Sequence, residues 1–183
     1  MASVDAEIKL QNRVLHWLID DLGYTFLGNL EDIDNTPIRE DLLRKHLKEC
    51  GYTSDQISRA VSELTTKAAD QVSTLYEANK AVYALLRYGL QGVRDESGNR
   101  PTVHYIDWDV VSNNDFYVAE EVSVLRYDHK TRKRPDVVLY INGIAVGMME
   151  LKRSCVSVGE GIRQMLTNQK PENIQGFFNT MQL

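Results

Sequence analysis

What the chain lacks narrows its chemistry before any motif is considered. Two cysteines, Cys50 and Cys155, cannot build a disulfide framework in 183 residues, so reduced thiols and an intracellular, cytoplasmic setting are expected. His16, His46, His104 and His129 are scattered without ligand spacing, which argues against a zinc site. No Gly-x-x-x-x-Gly-Lys-Ser/Thr loop occurs, so this sequence by itself has no P-loop for ATP. No apolar run approaches the roughly 20 residues needed to span a bilayer, and the amino terminus lacks the basic-then-apolar pattern of a signal peptide. Excess positive charge is missing too. The formal net charge is -5 and the pI is about 5.4, which argues against a protein that coats nucleic acid through general basicity.

What is present fits one α/β domain. The length, with 43% hydrophobic residues, suffices for a single well-packed core. The run from Arg134 to Lys152 contains two short, nearly wholly apolar segments joined at Asn142-Gly143, a strong hairpin signal. Charges inside such strands are costly without partners, which singles out Asp136 in the first strand and Glu150 and Lys152 in the second. Side chains alternate along a strand, so Glu150 and Lys152 share one face and Leu151 points to the other. A two-residue hairpin with Ile141 opposite Ile144 would set Asp136 against Met149, facing away from Glu150. One extra residue restores the pairing. A bulge is therefore expected at or near Asn142-Gly143-Ile144, or a local twist at Asp136.

Two carboxylates and a lysine are a minimal set for magnesium-assisted hydrolysis of a phosphodiester. Mg2+ takes oxygen ligands, commonly one or two carboxylates completed by water and substrate phosphate. Asp136 and Glu150 supply the carboxylates, the Leu151 carbonyl can supply a third oxygen, and Lys152 can orient water or offset charge on the phosphate. The plain alternative for Glu-x-Lys is a cross-strand charge pair on a solvated face. Basic residues cluster beside the acids: Arg126, Lys130, Arg132, Lys133 and Arg134 lead into Asp136, and Arg153 follows Lys152. They form a candidate DNA-binding rim on an otherwise acidic body; an ordinary charged hairpin tip is the structural alternative.

The remaining segments are patterned as scaffold. Ile8, Leu15, Leu18, Ile19 and Leu22 define the buried stripe of an amino-terminal helix, followed by a short strand. Between about residues 36 and 90 three helices are expected, the first opened by Thr36-Pro37 and closed by Gly51, the second from about Ser54 to Ala68, the third from about Thr74 to Gly89. Residues 92 to 101 turn the chain into strands around Val103 to Trp108 and Phe116 to Leu125. After Lys152, Ser157-Val-Gly-Glu160 fits a capping box. The helix it opens has an apolar stripe of Ile162, Met165 and Leu166, with Gln164 and Asn168 one turn apart on its flank. A terminal strand is expected to begin near Ile174. The sum is a mixed, largely antiparallel central sheet flanked by helices.

At Pro135-Asp136 and Glu150-Leu151-Lys152 the chain resembles the PD-(D/E)xK nuclease signature. From Arg134 to Arg153 it is similar to the amino-terminal nuclease domain of the R subunit of type I restriction endonucleases. The helix ending in Asp21-Leu22-Gly23-Tyr24 and the stretch from Gly161 through Phe178 extend the likeness. It implies a restriction-endonuclease-like α/β fold, with a catalytic core at about 1–35 and 91–183 and a helical insertion at about 36–90. It also implies cleavage of double-stranded DNA with Mg2+, Asp136 and Glu150 being ligands and Lys152 the catalytic cation. Gln164 and Glu7 would be supporting groups, although the pattern alone fits a solvated amide and an exposed acid. Such families carry Gln-x-x-x-Tyr on the last helix; here Gln164 matches and Asn168 stands in the tyrosine position. The resemblance further implies methyltransferase and specificity subunits as partners, with ATP used only by a motor domain outside this sequence. The chain stops shortly after Phe177, as a fragment of such a motor subunit would. The competing readings are a non-catalytic DNA-binding or subunit-docking domain and a stand-alone repair or junction nuclease.

Overall fold

A computed structural model describes residues 4–93, 98–152 and 157–182, with side chains from residue 8 onward. Helix α1 (Val4–His16) runs into a single π-helical turn, Trp17–Asp21. The wider turn shifts the later side chains around the helix axis. Leu15 and Leu18 are buried, whereas Ile8 and Leu22, expected on the same stripe, are half exposed. Strand β1 (Thr25–Asn29) is followed by helices α2 (Glu40–Glu49), α3 (Ser54–Ala68) and α4 (Leu75–Tyr88). Then come strands β2 (Phe116–Glu120), β3 (Val124–Leu125), β4 (Arg132–Lys133), β5 (Val137–Ile141) and β6 (Ile144–Met149), and helices α5 (Val158–Asn168) and α6 (Gln175–Phe178).

Local chemistry sets the helix starts. Thr53 with Gln56, and Thr74 with Glu77, form reciprocal capping boxes that satisfy first-turn N–H groups of α3 and α4. Helix α2 does not start at Thr36-Pro37. Ile38 instead bridges Ile144, the Arg39 N–H donates to Gly143 O and the Ala145 N–H donates to Pro37 O. Residues 37–39 are thereby kept extended along β6, covering its edge. The three helices bury Leu43, Leu47, Val61, Leu64, Val82 and Leu86 in one cluster with Val103, Tyr105, Ile144 and Val146, so they share a core with the sheet.

Three strand expectations are corrected. Around Val103 to Trp108 only Val103 pairs, in an isolated bridge with Leu90. The Tyr105 hydroxyl donates to Ala60 O and the Trp108 Nε1–H to Leu86 O, so side-chain bonds to helices replace a ladder. Phe116 to Leu125 breaks at Glu121, whose φ is 50°, into β2 and β3. The expected terminal strand is helix α6, which buries Phe177 and Phe178 against the sheet.

The central sheet has the order β1-β2-β5-β6, with β1 parallel to β2 and the other pairs antiparallel; β3 and β4 form a separate hairpin. This mixed sheet flanked by helices is consistent with a restriction-endonuclease-like fold. On one face Val118, Val137 and Leu139 pack with Leu15 and Leu18. On the other, Tyr117, Ala119, Val138 and Tyr140 pack with Ile174, Phe177 and Phe178, and Met148 and Met165 border them.

The β5–β6 hairpin closes tightly, with Ile141 opposite Ile144 and positive φ at both Asn142 (52°) and Gly143 (85°), as a two-residue hairpin turn requires. The irregularity lies further along. Tyr140 pairs with Ala145 but Leu139 pairs with Gly147, leaving Val146 as an extra residue in β6. The expected bulge therefore exists, but at Val146 and not at the turn. The physical reason is that Asn142 is fully buried. It accepts from the Asp115 N–H at 2.7 Å and donates to Tyr105 O at 2.8 Å, which fixes the turn.

A Cβ on Gly143 would stand 2.6 Å from Arg39 O and 2.9 Å from Leu43 N, at a φ that L side chains disfavour. Gly143→Ala is expected to destabilise the protein by about 2–4 kcal/mol, measured as a lower urea midpoint at unchanged slope. An unchanged midpoint would refute the tight docking of the turn on α2.

Candidate active site

The bulge decides which side chains meet. Beyond it Val138 pairs with Met148 and Val137 with Met149, so the next position outward sets Asp136 against Glu150. Met148 borders the cluster on the α5 side and Met149 packs on the α1 side, which places Glu150 on the α5 face by alternation. The side-chain contacts agree. Gln164 Nε2 donates to Glu150 Oε2 at 2.6 Å and Asn168 Nδ2 to Glu150 Oε1 at 3.1 Å. Lys152 Nζ lies 3.7 Å from Glu150 Oε2. The Leu151 N–H donates to Asp136 Oδ2 at 2.5 Å, so Leu151 ties the acid of one strand to the backbone of the other.

Helix α5 is held with its polar side inward. Ser157 caps it through the Gly159 N–H at 3.2 Å, so the serine half of the expected capping box forms with a different N–H from the one anticipated. Of the expected apolar stripe, Ile162 and Leu166 are 55% and 57% exposed, while Met165 packs against the cluster on that side of the sheet. Asn168 is buried. The Glu150 side chain is only 3% exposed, and a buried carboxylate without donors costs several kcal/mol. Two amides meet that demand where two aliphatic side chains could not.

Electrostatics at Glu150 are strained. Burial first, and the negative charge of Asp136 second, push its pKa up to about 7 from an ordinary 4.5. Lys152, the Asn168 hydrogen bond and Lys133 pull in the opposite direction without prevailing. Two oxygen acids on one face, one repelling the other, suit a hard divalent cation. Among the described residues no group of three or more His, Cys, Asp or Glu could hold a metal, so from these residues a metal would draw on the two carboxylates with backbone or solvent oxygens. Each carboxylate oxygen has about two acceptor positions, so the two amide donors on Glu150 leave acceptor positions open on both oxygens.

The other sequence-selected residues divide clearly. Lys133 is felt electrostatically at Glu150. Arg132 is committed to Asp34 at 2.7 Å, and Arg134 to Glu121 at 2.6 Å and also to Glu31. Arg126 donates to the Thr131 hydroxyl at 3.3 Å across the β3–β4 turn, and Lys130 lies in that turn, its N–H bonded to Asp128. The rim thus spends much of its charge on the protein's own carboxylates. Glu7 lies on α1, but its side chain, like Arg153 and Cys155, is outside the described residues. The residue least legible in advance was Asn168. Its signal was the four-residue step from Gln164, which puts both amides on one helical face.

The model for the type I restriction enzyme R protein N terminus matches residues 6–183. The chain is 27% identical over 184 residues to the SauMSSORF170P type I restriction enzyme endonuclease subunit of Staphylococcus aureus strain MSSA476, covering 97% of this chain and 18% of that protein. It is 36% identical over 76 residues to the MjaIXP type I restriction enzyme endonuclease subunit of Methanocaldococcus jannaschii, covering 40% of this chain and 7% of that protein. The chain therefore spans less than a fifth of the length of these curated relatives.

The pKa shift makes stability pH dependent with a defined sign. Above about pH 7 the carboxyl is ionised both folded and unfolded, and the fold carries the whole cost of the buried charge. Between about 7 and 4.5 the folded form holds a proton that the unfolded form has released, so stability rises as pH falls, by roughly 3 kcal/mol in total. Below 4.5 this group adds no further change. Glu150→Gln should remove that slope, raising the melting temperature over wild type at pH 8 and losing the advantage at pH 4.5. Parallel melting curves across this range would contradict the buried, repelled carboxylate.

Proposed function

The chain belongs to the family of type I restriction enzyme R protein N termini, and from that premise we propose that it is a metal-dependent DNA endonuclease domain of the PD-(D/E)xK kind. The observation that carries the reading is the bulge at Val146, which sets Asp136 opposite Glu150 with Lys152 beside them. Asp136, Glu150 and the Leu151 carbonyl would hold Mg2+, which when bound supplies charge stabilisation to the scissile phosphate.

The chain's own groups do the rest. Lys152 carries the cation next to the carboxylates, placed to offset negative charge developing on phosphate oxygens. Gln164 and Asn168 hold the Glu150 carboxylate by one amide bond on each oxygen, which orients it. The Leu151 N–H does the same for Asp136. Glu7 joins the supporting groups only by family resemblance. Lys133 and the neighbouring cations Arg126, Lys130, Arg132, Arg134 and Arg153 are the proposed DNA-facing rim.

As the amino-terminal part of an R subunit, the domain would act on double-stranded DNA within an assembly that also holds methyltransferase and specificity subunits. ATP would be used by a motor region elsewhere in the protein.

In the full-length assembly, Asp136→Ala, Glu150→Ala and Lys152→Ala should each reduce magnesium-dependent cleavage of plasmid DNA by roughly 100-fold or more, with ATP hydrolysis retained. Cleavage at wild-type rates by correctly folded variants would remove the catalytic reading. Gln164→Ala should be milder, raising the magnesium concentration needed for half-maximal cutting.

A further inference from the structure

Helix α4 carries an exposed stripe that neither the core nor the carboxylate site uses. Tyr76, Lys80, Tyr83 and Arg87 recur at steps of four, three and four residues, which places them on one helical face. Tyr76 is 72% exposed and Tyr83 43%. The cations lie against aromatic rings: Lys80 Nζ is 6.0 Å from the Tyr76 ring centre, and Arg87 Cζ is 5.3 Å from that of Trp108, itself 47% exposed. The Trp108 indole is fixed by its Nε1–H bond to Leu86 O. Single exposed aromatics on a surface are ordinary. Here two tyrosines, a tryptophan and two cations alternate along one line, about 16 Å from Tyr76 to Arg87 at 1.5 Å per residue.

We propose that this stripe binds a single nucleic-acid strand, unpaired bases stacking on Tyr76, Tyr83 and Trp108 while Lys80 and Arg87 meet the phosphates. Exposed rings suit bases that have left the duplex, because a paired base has its own faces covered, and cations that already lie against the rings suit the backbone of the same strand. Acids lie beside the stripe: Glu49, Asp107, Asp109 and Asp115 line one pocket with Arg87 and Trp108. Glu77, on the same helix, is bound to the Thr74 N–H and hydroxyl. Asp107, next to Trp108, is turned into its own loop by the Asp109 and Val110 N–H groups and the Asn113 amide. The stripe also has a direction. Tyr76 lines a groove of about 760 Å³ whose other walls include Met148, Met165 and Gln169, and Met165 adjoins Gln164 on α5. A strand laid along α4 would be led toward the helix that holds Glu150.

The test uses the whole 183-residue chain, a short fluorescein-labelled oligothymidylate and a duplex of equal length, with binding followed by anisotropy in chelator. Cleavage then plays no part, and failure of the carboxylate-site reading would leave the result intact. Tyr76→Ala and Tyr83→Ala should each weaken single-strand binding by about fivefold or more, with a much smaller effect on the duplex. Tyr83→Phe, which keeps the ring, should stay within about twofold of wild type. Lys80→Ala should reduce the salt dependence of binding. All these side chains are exposed, and circular dichroism checks that the fold is kept. No single-strand binding by the wild type, alanine variants that bind as wild type does, or equal losses on both DNAs would overturn the proposal. Alanine variants that bind as wild type does would also be the result if the face instead docked another protein.

Discussion

One extra residue in β6 governs the geometry of the candidate site. Strand side chains alternate with period two, so inserting Val146 exchanges the faces of every residue between it and the end of the strand. Without it, the tight turn at Asn142-Gly143 would set Asp136 against Met149 and send Glu150 to the opposite layer. The turn cannot easily yield in its place, because Asn142 is buried and bonded on both its amide atoms, and Gly143 lies against α2. The register is therefore anchored at one end by the turn and shifted at the other by the bulge. Val146 itself packs among the side chains of the three-helix segment, which gives the irregular residue a buried place and links those helices to the site's geometry.

A second constraint arises from the first. Once Glu150 is turned onto the α5 face it is nearly out of water, beside another acid, and its charge must be met locally. Helix α5 supplies two amide donors, and in doing so presents Ile162 and Leu166 to solvent. The usual rule that the apolar stripe of a helix faces the core gives way because an uncompensated buried carboxylate costs more than two exposed aliphatic side chains save. The amide bonds to Glu150, together with the packing of Met165 against the cluster beside Met148, account for the orientation of this helix.

The same physics explains what the sequence made legible. The hairpin, the α3 and α4 boundaries and the mixed sheet came from signals local in the chain: Asn-Gly between apolar runs, threonine caps, glycine stops. The need for a bulge was legible too, because alternation and the Asn-Gly turn together conflict with a shared face for Asp136 and Glu150. Its position was not, since that depends on Asn142 bonding to residues far away in the chain. The strand expected around Tyr105 failed for a related reason. Its apolar alternation was real, but Tyr105 and Trp108 are bonded to carbonyls of α3 and α4, and nothing local distinguishes a residue that pairs in a ladder from one that plugs a helix. Asn168 was visible only as a helical neighbour of Gln164; that both amides converge on one carboxylate is a tertiary fact.

Charge distribution carries the last step. The basic run before Asp136 promised a strongly positive rim, yet Arg132 and Arg134 are paired with Asp34, Glu31 and Glu121, and exposed pairs of this kind contribute little to stability. Their larger effect is to lower the field that the hairpin offers to a phosphate, because each paired arginine must exchange a carboxylate for the nucleic acid. With a net charge of -5, general electrostatics cannot hold DNA firmly on this domain. Affinity then has to come from a shape-specific surface or from other parts of the protein. The α4 stripe meets the first requirement, since stacking on tyrosine and tryptophan does not depend on overall charge. The candidate site is thus joined to a body that attracts DNA weakly through charge alone, and the approach of a strand to it depends on surfaces other than the basic run.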